Sequence, residues 1–114
     1  MTQDPRRDLS VPLPIRVERS DGSERDEYAV NVSTSGLCLH AREPLEVGEE
    51  LQVVFQLPSD RREIRAICKV VWKHEGDEDS CVPRFYETGL FLVEVASADA
   101  ERIAWYVSEQ VDRR

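Results

Sequence analysis

From residue 13 onward the chain alternates apolar and polar positions in short runs separated by turn-forming residues. Leu13, Ile15 and Val17 alternate with proline or charged positions up to Arg19, the period-two signature of a half-buried strand. Ser20, Asp21, Gly22 and Ser23 follow, and the Asp-Gly pair suits a hairpin. The pattern predicts a second strand over residues 27–32 and a third over 37–41, then a connection carrying Pro44 and Gly48. Leu51, Val53, Phe55 and Leu57 alternate with Gln52 and Gln56. Beyond Pro58 and Asp60, the residues Ile64, Ala66, Cys68, Val70 and Trp72 share one face, with Ile67 and Val71 on the other. Apolar residues on both faces imply a strand that is bent or covered on its outer side. Residues 76–83 read as an acidic loop and 84–95 as the last strand, where Gly89 marks a bulge or a close backbone approach.

The period then changes. Ser97 offers an N-cap, and Asp99 and Glu101 stand in the first turn where a helix dipole favours anions. Ala100, Ile103, Ala104, Val107 and Val111 fall on one helical face, and Arg113 and Arg114 complete the charge asymmetry. Trp105 and Tyr106 flank that stripe, as core edge or interface. Six short strands and a closing helix make an all-β chain with one helix. That order calls for a barrel or sandwich, the helix covering an open mouth or edge. Residues 1–11 are polar and read as a flexible arm; residues 12–114 form the domain.

Composition narrows the function. With 114 residues the chain is one domain, and 40% apolar against 33% charged residues is enough to fold. Its apolar runs are too short to insert in a membrane, and its first residues lack a secretory signal, so a cytoplasmic protein is expected. A formal charge of −8 argues against DNA or RNA as partner, although Arg6, Arg7, Arg16 and Arg19 gather positive charge near one end. Cys38, Cys68 and Cys81 form no CxxC pair, and neither His40 nor His74 stands at ligand spacing from a cysteine pair. Free thiols and no metal are expected. The acidic loop lacks the turn glycine and closing glutamate of a calcium hand. With no glycine-rich phosphate loop, no HExxH and no arguable triad, the chain reads as a non-enzyme.

The informative segment is Asn31-Val32-Ser33-Thr34-Ser35-Gly36, between two apolar strands. An amide, a hydroxyl and a glycine at this spacing suit a tight corner, which serves a binding site or an ordinary hairpin turn equally well. Asn31, Ser33 and Gly36 match the Asp/Asn-x-Ser-x-x-Gly motif of PilZ domains, the family of cyclic di-GMP receptors and their relatives. The likeness continues through Pro44-Leu45-Glu46-Val47-Gly48, Val70-Val71-Trp72, the Gly89 strand and the final helix. This resemblance spans about residues 12–111 and implies a six-stranded antiparallel β-barrel closed by a C-terminal α-helix.

The resemblance also implies a ligand. Nucleotide-binding members share an Arg-x-x-x-Arg arm before the first strand, whose arginines grip phosphates and stack on guanine, while the Asn-Ser-Gly motif meets guanine edges. Here Arg6 has the first offset with Arg7 as a spare, but Ser10 stands at the second arginine position and Asp8 adds a negative charge. One lost charge-assisted hydrogen bond is worth roughly 1.5–3 kcal/mol, or about tenfold to hundredfold in affinity. Arg61 and Arg65 also spell Arg-x-x-x-Arg but read as a charged hairpin tip. The expectation is a signalling adaptor for motility or a related surface behaviour, acting on a protein partner, with weak or absent nucleotide binding and no cofactor. The alternative is a genuine cyclic di-GMP receptor whose site is Arg6, Arg7, Asn31, Ser33 and Gly36.

Overall fold

A computed structural model describes residues 6–58, 60–75 and 85–112. Its elements are β1 (Arg6–Arg19), β2 (Glu24–Ser33), β3 (Gly36–Ala41), β4 (Glu50–Phe55), β5 (Ile64–Glu75), β6 (Tyr86–Val95) and α1 (Ser97–Asp112). All neighbours pair antiparallel, in the order β1-β2-β3-β6-β5-β4, and β1 pairs with β4 to close the barrel. The six strands and single helix expected from the periodicity are therefore present, in barrel form.

The alternation explains the core. Ile15, Val17, Ala29, Leu39, Val53, Ile64, Cys68 and Val70 are essentially inaccessible and meet inside the barrel. Burying each large aliphatic side chain contributes about 1.5–3 kcal/mol. Ile103, Tyr106 and Val107, spaced as one helical face, join this cluster from α1, which packs on β1 and β2. Tyr106 thus belongs to the core, whereas Ala104 faces outward. The Ala100 amide donates to the Ala96 carbonyl, so Ala96, not Ser97, is the N-cap residue.

The strands differ from their expected bounds in instructive ways. β1 begins at Arg6 rather than Leu13, and Arg6, Arg7 and Asp8 pair with Ser33, Val32 and Asn31. Part of the polar stretch expected as an arm is therefore strand, because β2 is long enough to offer it backbone partners; residues 1–5 lie outside the described residues. On β5 a register shift between Val70 and Trp72 inserts Val71 as an extra residue. The shift moves Trp72 out of the inward series, and both Val71 and Trp72 are exposed rather than covered. The acidic loop at 76–83, with Cys81, and the terminal Arg113 and Arg114 also lie outside the described residues.

Two clamps hold the connections. Arg19 grips Glu49 with two hydrogen bonds, Nε to Oε2 at 2.7 Å and Nη2 to Oε1 at 2.9 Å. This ties the end of β1 to the loop before β4, where Gly48 takes φ 94° and donates to the Val70 carbonyl. Across the molecule, Arg102 of α1 reaches Asp60 through Nε (2.9 Å), the Arg62 carbonyl through Nη2 (2.7 Å) and Asp99 through Nη1 (2.6 Å).

Candidate functional site

The β2–β3 corner is built by Ser33. Its Oγ accepts the amide N–H groups of Ser35 (3.2 Å) and Gly36 (3.1 Å) and lies 3.3 Å from the Gly36 carbonyl. A hydroxyl so used fixes the turn, and Ser35 lends its carbonyl to the Leu92 amide of β6. Gly36 is needed for space rather than for a positive φ: a Cβ there would overlap the Leu90 carbonyl. Asn31 is half-buried, and among the described residues its amide makes no hydrogen bond.

Register then assembles the site from distant segments. Asp8, Asn31, Cys38, Gly89 and Trp72 form one row across β1, β2, β3, β6 and β5. Arg6 pairs with Ser33, while Gly36, Phe91 and Lys69 form the neighbouring row. Paired residues in such rows lie about 4.5–5.5 Å apart at Cα. Between the rows lies a groove of about 150 Å³ lined by Asn31, Ser33, Ser35, Gly36, Trp72 and Phe91, among others. Trp72 and Phe91 are both about half exposed, at 45% and 49%, so each offers an aromatic face to an entering ring. The Trp72 indole lies over Gly89, which any side chain would displace.

The groove thus gathers Asn31, Ser33 and Gly36 and aligns Arg6 with them. Arg7 instead pairs with Val32, whose side chain is in the core. Arg61 and Arg65 stand apart: Arg61 lines a different cleft, and Arg65 approaches Glu63 at 3.5 Å. That other cleft, about 740 Å³ between β1 and the β4–β5 connection, is larger, yet it includes none of Asn31, Ser33 or Gly36. Volume alone is a poorer guide here than the convergence of polar and aromatic groups. Trp72 and Phe91 line the groove although the sequence did not assign them to the site; Trp72 entered the likeness only within Val70-Val71-Trp72. The signal for Trp72 was the broken alternation of Val70, Val71 and Trp72.

Titratable groups near the groove are few. His40 stacks on Phe85 with ring centroids 4.4 Å apart and approaches Glu87 at 3.5 Å, on the same strands as the groove. No group of three metal-ligating side chains occurs among the described residues. Cys38 and Cys68 are both buried, and burial pushes the Cys68 thiol up to about 12. No helix among the described residues is long and apolar enough to cross a membrane.

A family model described as the PilZ domain matches residues 2–109. No curated protein matches the sequence. Among solved structures, the chain resembles the Bacillus subtilis inhibitor of motility, MotI/DgrA, with a TM-score of 0.79 at 22% identity, over 100% of this chain and 54% of that one. It resembles the PilZ domain of YcgR from Escherichia coli, solved with c-di-GMP, with a TM-score of 0.73 at 12% identity, over 96% and 93%. It also resembles the K. pneumonia MrkH–c-di-GMP complex, with a TM-score of 0.78 at 17% identity, over 97% and 52%. The chain spans about half the length of MotI and MrkH.

Proposed function

The chain belongs to the PilZ domain family, and from that premise we propose that it is a non-enzymatic signalling adaptor, acting on a protein partner, whose nucleotide groove is weakened. The likeness to an inhibitor of motility makes motility or a related surface behaviour the natural setting. One observation carries the reading: the register sets one basic and one acidic residue beside the motif, Arg6 opposite Ser33 and Asp8 opposite Asn31.

A cyclic dinucleotide carries two phosphates. It gains from planar, bidentate guanidinium groups that both grip phosphate and stack on a base. Here Ser10 stands where a second arginine is expected, and Arg7 is aligned with core-facing Val32 rather than with the motif. Ser33 is already engaged in its own turn. These features favour affinity about tenfold to hundredfold below that of a site with both arginines.

A second reading has its own support. Asn31 keeps an amide without a hydrogen bond among the described residues, in the groove that Trp72 and Phe91 also line. Such a groove suits a guanine ring, with Arg6 aligned beside the motif in the β1–β2 register, and would make the chain a genuine cyclic di-GMP receptor. Calorimetric titration with cyclic di-GMP separates the two. Binding at about 10 µM or weaker supports the adaptor; binding well below 1 µM, weakened by Asn31→Ala and Arg6→Ala, supports the receptor.

A further inference from the structure

We propose that the chain's two histidines make nucleotide affinity in the Asn31 groove pH-dependent, tightening it in mild acid. The inference rests on the reading of that groove as a weakened nucleotide site. The chain has two histidines, and the register sets both against one carboxylate. His40 of β3 and His74 of β5 each lie opposite Glu87 of β6. Residues paired in this way share a sheet face, with Cβ atoms about 4.5–5.5 Å apart. His40 Nε2 stands 3.5 Å from Glu87 Oε2, and the imidazole rests on the Phe85 ring. His74 is exposed.

This row runs beside the groove. Cys38, Gly89 and Trp72, which line the groove, have Gly36, Phe91 and Lys69 on one side and the histidine row on the other. His40, Glu87 and His74 each stand two residues along their strand from a member of the groove row. Two strand residues span about 6.6–6.8 Å, within the Debye length of about 8 Å at physiological salt. A charge gained in one row is therefore felt in the other.

Histidine is the side chain that ordinarily changes charge between pH 5 and 8, whereas carboxylate, phenol, ammonium and guanidinium groups ordinarily keep theirs. Among the described residues, the row meets Tyr28 of β2, opposite His40, with Asp26 and Arg42 two residues beyond Tyr28 and His40. Asp77, Glu78 and Asp79 lie outside the described residues. With neutral imidazoles the row carries the single negative charge of Glu87, which repels a phosphodiester. With both protonated it carries one net positive charge, which attracts one. The pair thus supplies in acid some of the cation that Ser10 withholds from the arm.

The test is calorimetric titration of the full chain with cyclic di-GMP at about pH 7.5 and about pH 5.5, at constant ionic strength. Binding is expected to be about threefold or more tighter in acid, by a margin that shrinks in high salt. Buffers of different ionisation heat are expected to show net proton uptake on binding. His40→Gln and His74→Gln together are expected to abolish the gain, whereas Glu87→Gln tightens binding at both pH values and keeps it. His74→Gln alone, at an exposed position, is expected to remove about half of the gain. It keeps the test standing should His40→Gln disturb the packing on Phe85. An affinity that does not change with pH, or an equal gain in the double variant, overturns the proposal and leaves the nucleotide site in place. Absence of binding at either pH, in the parent and in Ser10→Arg alike, removes the nucleotide site and the proposal with it.

Discussion

The indole of Trp72 covers Gly89, and a single carbon added at residue 89 would overlap it. The two lie opposite each other in the β5–β6 register, just past the extra residue that turns Trp72 outward. This contact forms one wall of the groove beside Asn31.

Gly89→Val should expel the indole. In a Trp105→Phe background, where Trp72 is the single emitter, the emission is expected to shift to the red. Stability should fall by about 1–3 kcal/mol, the usual range for overpacking. An unmoved spectrum would mean that the indole does not rest on Gly89.

The barrel was largely legible in the sequence because its strands alternate cleanly: Ile15 and Val17, Val53 and Phe55, and Ile64, Ala66, Cys68 and Val70 are all core. Legibility ended where registers shift. Trp72 reads as inward by counting and is outward because Val71 is extra. Tyr106 reads as an edge and is core, since helix rotation is set by packing on β1 and β2. The site was half legible: Asn31, Ser33 and Gly36 are close in sequence, whereas Trp72 and Phe91 reach them only through strand order β2-β3-β6-β5.

Gly36→Ala should cost more than Gly22→Ala. At Gly36 the added carbon meets the backbone carbonyl of Leu90, which cannot step aside without breaking the β3–β6 ladder. Gly22 has open space and only a positive φ to satisfy, worth about 1 kcal/mol. Urea unfolding of both variants decides; equal losses would contradict the steric account.

The Arg19–Glu49 clamp makes a pH-dependent contribution. The Arg19 guanidinium, hydrogen-bonded to Glu49, holds that carboxyl below its ordinary value of 4.5, and its own pKa is raised in turn. A carboxylate with a lowered folded-state pKa stabilises fully above its unfolded value and loses that stabilisation as pH falls through the folded one. Glu49→Gln should therefore be less stable than the parent by about 0.5–1 kcal/mol at pH 7. The gap should narrow as pH falls below the ordinary value of 4.5. Denaturant titrations at several pH values report it, and a gap that widens in acid would reverse the assignment.

Cys68 should be chemically silent in the native state. It is fully buried, and desolvation pushes its thiol up to about 12, leaving almost no thiolate at pH 8. Iodoacetamide followed by peptide mapping is expected to find Cys68 unmodified until urea unfolds the barrel. Rapid native alkylation would show that β5 opens locally.

The central claim is that the groove is a nucleotide site weakened at one end, and comparison of the parent chain with Ser10→Arg by cyclic di-GMP calorimetry tests it most directly. The expected result is weak binding by the parent, at about 10 µM or above, and a gain of about tenfold to hundredfold in the variant. Tight binding by the parent, or no gain from the added arginine, would contradict it.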